Sequence, residues 1–99
     1  TPVTFDPQKV TVLDAQLQPL PGPSGELQPT TIEPDQAMLR TLQFSLLPGQ
    51  APDDPSLSIL NIRMALRSED RDFPHSMVFY RLDYPGYYYY QPYPYYVYW

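Results

Sequence analysis

Cysteine is absent from this chain, and lysine (Lys9), asparagine (Asn61) and histidine (His75) occur once each in 99 residues. Without cysteine there is no disulfide framework and no thiolate metal site. Asn61 is followed by Ile62 and Arg63, so no N-glycosylation sequon exists. Basic residues are scarce: Lys plus Arg is 6 against 11 Asp plus Glu, a formal net charge of -5. That balance excludes a nucleic-acid partner bound through its phosphates, which needs a basic face. No apolar run is long enough to cross a membrane as a helix, which takes about 18 residues or more. Glycine is dispersed at four positions, and Pro21-Gly22-Pro23 reads as a turn rather than a phosphate-binding loop.

The length admits one domain at most. A chain this short buries only about 60–65% of its unfolded surface. With neither cross-link nor metal, its remaining stability is expected to come from neighbours. The first residue is Thr1 rather than Met, which fits removal of a leader and equally fits a fragment.

Proline is what the chain has in excess: 14 of 99 residues, far above the usual ~5%. Proline and glycine together stay below the ~25–30% of low-complexity chains. A hydrophobic fraction of 42% argues for a folded body. Because proline cannot donate a backbone bond, the proline-free windows are the candidates for regular structure. They are Gln8–Gln18, Asp35–Leu47, Ser56–Phe73 and His75–Tyr84, separated by proline-rich connections over 19–34 and 48–55.

The third window alternates most cleanly. Leu60, Ile62, Met64 and Leu66 hold one parity, and Asn61, Arg63, Ala65 and Arg67 the other. Period 2 predicts a strand with one buried face. A helix starting at Asp54–Pro55 is the rival, since Asp caps well and proline suits a first helical position. The fourth window sets Val78, Tyr80, Leu82 and Tyr84 against Met77, Phe79, Arg81 and Asp83, with Ser68–Pro74 as a polar hairpin loop. The second window carries Met38, Leu42, Phe44 and Leu46 on one face, with Asp35 able to cap a short helical turn first. The first changes phase between Val12 and Leu13, which suggests a bulge. The expectation is an all-β body over residues 1–84. It would be a small antiparallel sheet or half-sandwich of about four strands, with a core of Leu42, Phe44, Leu46, Leu60, Ile62, Met64, Leu66, Val78, Tyr80 and Leu82.

The C-terminal segment carries the strongest signal. Tyr84–Trp99 reads YPGYYYYQPYPYYVYW, with nine of the ten tyrosines, the single tryptophan and no charge. Pro85–Gly86 marks a turn, while Pro92 and Pro94 exclude a helix and favour an extended course. At ~3.1 Å per residue the arm over 85–99 would reach roughly 45 Å. Each ring can bury ~150–250 Å², so half-burying ten of them gains of order 20 kcal/mol, similar to the ~1–2 kcal/mol per residue lost on ordering sixteen backbones. The arm therefore orders only where most rings meet a surface. That surface is the protein's own sheet or a neighbouring subunit reached by strand addition. The predicted contact residues are Tyr84, Tyr87, Tyr88, Tyr89, Tyr90, Tyr93, Tyr95, Tyr96, Tyr98 and Trp99.

No residue constellation selects a reaction. His75 beside Ser76 cannot by itself supply the spatial arrangement of a triad. Glu69, Asp70 and Asp72 lack the spacing of a calcium loop and read as a solvated hairpin loop balanced by Arg71. No spacing singles out a carboxylate pair for glycoside hydrolysis. The chain is expected to be no enzyme and to hold no metal or cofactor.

Ser58–Asp72 (SILNIRMALRSEDRD) followed by His75–Leu82 (HSMVFYRL) resembles the globular domain of minor pilins and pseudopilins. There, a strand ending in a Leu-Arg-Ser-like sequence pairs with a later arginine-containing strand. The stretch covers about a quarter of the chain. The N-terminal apolar helix of that family is not in these 99 residues, so the resemblance implies the head portion and extracellular filaments. The combined expectation is an extracellular or cell-surface structural subunit that self-assembles into a filament, coat or layer through its arm. Its partners would be other copies or neighbouring subunits. A carbohydrate-binding module stacking the same rings on polysaccharide is the alternative, and an accessory subunit of a larger complex is the third reading.

Overall fold

A computed structural model describes residues 1–84 and 87–92, with the side chains of residues 83, 84 and 87 outside that description. Eight strands are described: β1 (Val3–Phe5), β2 (Thr11–Leu13), β3 (Ser24–Gly25), β4 (Thr30–Ile32), β5 (Leu42–Gln43), β6 (Ile59–Ser68), β7 (Arg71–Tyr84) and β8 (Tyr87–Pro92). Two single 3-10 turns, Pro7–Lys9 and Pro55–Leu57, complete the regular structure, and no α-helix is present among the described residues. The protein is all-β, as expected, but with more strands than the expected four.

Six strands form a curled antiparallel half-barrel with β6 as its hub. One side of β6 pairs with β7 along its whole length, from Ile59 opposite Tyr80 to Ser68 opposite Arg71. The other side is shared by two short strands, β2 against Asn61–Arg63 and β1 against Leu66–Arg67. β4 lies outside β1, and β8 lies outside β7. A separate two-stranded ladder joins β3 to β5.

The long hairpin corrects two expectations. Glu69 and Asp70, with φ of 50° and 61°, form a two-residue turn in the left-handed region. The right-handed twist of the flanking strands favours that turn, and Asp70 is one of the residues that tolerate the left-handed region. The loop expected over Ser68–Pro74 is therefore mostly strand. Pro74 sits inside β7 opposite Ala65. In an antiparallel ladder, residues alternate between facing the partner strand and facing away. Counting from the turn pair Ser68–Arg71, Pro74 directs its nitrogen away from β6, towards an edge where no bond is lost. The second expectation concerns side-chain facing. Directly opposed residues share a face, so Leu60 and Ile62 lie with Phe79 and Met77, while Val78 and Tyr80 lie with Asn61 and Ile59. Val78, Tyr80 and Leu82 thus occupy the face opposite to Leu60, Ile62, Met64 and Leu66.

Short strands fit between prolines. β1 runs between Pro2 and Pro7, ahead of the first proline-free window, and β4 between Pro29 and Pro34, inside a segment read as a connection. Three residues are enough for a ladder in which only every second N–H bonds the partner. Around Val12 and Leu13 the expected bulge is instead a strand end. Asp14 turns the chain, Leu20 N–H donates to the Val12 carbonyl (2.9 Å), and Leu13 bridges Pro19. The Asp14 carboxylate accepts from the N–H groups of Gln16 and Gln18, both at 2.9 Å, which satisfies the turn although Asp14 is only 2% exposed.

The buried residues are Phe5, Pro7, Val10, Val12, Leu13, Asp14, Leu20 and Leu57. Val12, Leu20 and Leu57 form the central cluster, with Phe44, Leu47, Leu60 and Ile62 packed half-buried against it. Of the expected core, Leu42 and Phe44 are half-buried, Leu46 is exposed, and Leu60, Ile62, Met64, Leu66, Val78, Tyr80 and Leu82 are half-buried. Only Leu42–Gln43 of the second window is strand. The rest of that window runs irregularly, and Gly22 lets Gln43 and Phe44 pass closely. A Cβ on Gly22 (φ +139°) would come within 2.8 Å of Phe44 Cδ1 and 2.9 Å of the Gln43 carbonyl oxygen.

Candidate functional site

The concave face of the half-barrel is open. A cleft of about 500 Å³ runs along it, between the β6 side chains Leu60, Ile62 and Met64 on one wall and Leu42, Phe44 and Leu46 on the other. Leu57 and Val12 form part of its lining, and Met77 and Tyr90 enter from β7 and β8. The period-2 pattern of β6 produces this apolar stripe, and the curl of the sheet makes it concave. Arg40 borders this cleft and a smaller one of about 320 Å³ lined by Ile32, Met38, Leu39 and Leu66. Its guanidinium donates to Glu26 (3.2 Å) and to the Thr30 hydroxyl. Arg40 is thus held by β4 and by the segment after β3, with its Nε buried and unpartnered among the described residues.

β8 closes part of the sheet and brings the first arm residues to the body. Tyr90 Oη donates to the Leu57 carbonyl (2.7 Å). Tyr80 Oη donates to Gln91 Oε1 (2.8 Å). The Arg81 guanidinium stands 5.1 Å from the Tyr88 ring centre and donates through Nη1 to the carbonyls of Pro52 (3.0 Å) and Asp54 (3.1 Å). Those bonds tie β7 to the proline-rich loop over 48–55, and cation–π attraction ties the same side chain to the arm. Arg81 N–H also donates to the Ser58 carbonyl (2.9 Å). The Asp54 carboxylate caps the 3-10 turn. It accepts the Ser56 N–H (2.9 Å) and the Ser56 hydroxyl (2.7 Å), which hold its carboxyl below the usual carboxylate range.

Of the predicted contact residues, Tyr88 and Tyr89 are exposed and Tyr90 is half-buried. Register places Tyr88 and Tyr90 on one face of the sheet and Tyr89 on the other. Neighbouring rings therefore do not form one stacking platform. Tyr84 and Tyr87 oppose each other at the β7–β8 turn, where only the backbone is described. Tyr93, Tyr95, Tyr96, Tyr98 and Trp99 lie outside the described residues. Sequence reasoning missed the cleft residues Phe5, Leu20 and Leu57; a buried leucine right after Asp54-Pro55-Ser56, a capped turn signal, could have pointed to Leu57.

Outside this region the chemistry is sparse. Arg67 pairs with Asp72 (3.3 Å), and His75 lies exposed on β7 opposite Met64. Among the described residues no group of three His, Asp or Glu side chains could hold a metal ion, and no helix is long and apolar enough to cross a membrane. Comparison of the chain with family models, with curated proteins and with solved structures gave no match.

Proposed function

We propose that this chain is an extracellular structural subunit that assembles into a filament, coat or surface layer through its aromatic C-terminal arm. Its partners are other copies of itself or neighbouring subunits. The observation that carries this reading is the incompleteness of the body: a half-barrel whose concave face carries an open apolar cleft, lined by Leu60, Ile62, Met64, Leu42, Phe44 and Leu46. The acidic body and uncharged arm divide the labour: charge on residues 1–83 keeps assemblies soluble, and aromatic burial holds them together. The pilin-like stretch Ser58–Leu82 points the same way.

The test compares the full chain with a chain ending at Pro92, which retains β8. Sedimentation and negative-stain microscopy are expected to show polymers for the first and a folded monomer for the second. Polymers formed equally by both would remove the arm from the mechanism. Binding of soluble polysaccharide by the monomer, with no self-association, would replace this reading with carbohydrate recognition. A chain that does neither would be an accessory subunit of a heteromeric complex.

A further inference from the structure

Among the residues lining the cleft on the concave face, Arg40 alone carries a charge. The smaller cleft shares Phe5, Arg40 and Met64 with the larger, so the two adjoin at Arg40, and there too it is the only charged lining residue. No carboxylate lines either one, although acids outnumber bases 11 to 6 in the chain. At about 500 Å³ and about 320 Å³, both fall in the ~300–1,000 Å³ range of small-molecule sites. Every lining residue of both precedes Gln91. Arg40 is incompletely satisfied there. Its Nη1 donates to Glu26, whose side chain is 54% exposed, and its Nη2 donates to the Thr30 hydroxyl. Pairing with so exposed a carboxylate is screened by water. The Nε–H is shut off from water and has no acceptor among the described residues. A buried donor in that state is destabilising until an acceptor reaches it.

We propose that the cleft binds a free single-chain fatty acid, with its acyl chain along the β6 side chains and its carboxylate on Arg40. Separate observations select the chain and the headgroup. An apolar trough takes up methylenes at no polar cost, whereas the hydroxyls of a sugar would lose water there without finding partners. The lone cation with an unused donor selects an anion, and the planar guanidinium fork matches a carboxylate. A net charge of -5 repels an anionic bilayer, so the ligand is a free molecule rather than a headgroup within a membrane. The inference goes beyond the assembly reading: it concerns what each subunit holds and uses no arm residue after Tyr90.

The test is equilibrium dialysis of the full chain against dodecanoate, dodecanol and dodecyltrimethylammonium, each below its micelle limit. Dodecanoate is expected to bind saturably, at least ~10-fold more tightly than dodecanol, because it alone forms a charge-assisted bond with Arg40. Its affinity should fall by up to roughly 4-fold for each methylene removed on the way to octanoate. Arg40→Gln should weaken dodecanoate to the level of dodecanol and leave dodecanol unchanged, which also shows that the cleft is still formed. Absence of saturable dodecanoate binding would overturn the site. Equal binding of dodecanoate and dodecanol, or tighter binding of the dodecyl cation, would overturn the assignment of the headgroup to Arg40. If Arg40→Gln weakens both ligands alike, as a collapsed cleft would, the headgroup series on the parent chain decides. Co-sedimentation with phosphatidylglycerol vesicles, without dodecanoate binding, would replace the free fatty acid with a lipid surface.

Discussion

Tyr90 offers the sharpest check on how the arm begins. Its ring is half-buried in the cleft wall and its hydroxyl donates to the Leu57 carbonyl at 2.7 Å. Tyr90→Phe removes only the hydroxyl, and a net hydrogen bond of this kind contributes about 1 kcal/mol. Tyr90→Ala also returns roughly 100 Å² of apolar surface to water, about 2.5 kcal/mol more. The expected losses are therefore about 1 and about 3–4 kcal/mol, from a total of roughly 5–15 kcal/mol for a chain of this length. In thermal unfolding the Phe variant should melt about 4–8 °C lower. Hydrogen exchange localises the effect. The N–H groups of Tyr80 and Leu82 face β8, whereas Arg81 N–H bonds Ser58 on the β6 side. Tyr90→Ala should deprotect Tyr80 and Leu82 well before Arg81. Refutation would be an Ala variant within about 0.5 kcal/mol of the parent, with unchanged exchange at Tyr80 and Leu82. β8 would then contribute nothing to the body, and the arm would have to be treated as starting at Tyr84.

Three further outcomes are expected. Leu57→Ala, at a site 2% exposed in the central cluster, should cost about 3 kcal/mol in urea unfolding. That is the lower part of the usual range, because the space vacated opens onto the cleft rather than forming a sealed void. Asp14→Ala should cost about 1–3 kcal/mol by leaving the Gln16 and Gln18 N–H groups unpartnered, and Asp14→Asn should recover most of it. Asp54 supplies a pH dependence. Its folded carboxyl titrates below the unfolded value because Ser56 N–H and hydroxyl bond the ionised form. Its contribution is therefore complete above the unfolded pKa and is lost as pH falls through the lower, folded one. Melting temperatures of the parent should drop on acidification across that acid range more steeply than those of Asp54→Asn.

How much of this was legible in advance differs from element to element. The alternation Leu60, Ile62, Met64, Leu66 announced β6, because side chains on a strand must face alternate sides whatever lies beyond. The Asp54–Pro55 signal was also real, yet it governs one 3-10 turn rather than a helix. Capping chemistry states where a turn can start, and not how far it runs. The β7 parity was misjudged because Val78, Tyr80, Leu82 and Met77, Phe79 are both largely apolar alternations. Only the two-residue turn at Glu69–Asp70 fixes which of them opposes Leu60.

Local covalent and steric rules thus favoured, from the amino-acid order alone, an extended body over a helical one, and settled that it is acidic and that most of its rings lie in a stretch without charge. Proline geometry and period-2 patterning act over a few residues and need no tertiary partner to be read. Tertiary structure alone decided which apolar face is covered and which stays open, that residues 5–20 and Leu57 rather than β6 make the centre of the core, and that Tyr87–Pro92 joins the body's own sheet. Those outcomes depend on register and on contacts between segments 30 to 60 residues apart, such as Val12 with Leu57. Burial there is a property of two surfaces meeting, which neither segment carries in its own sequence.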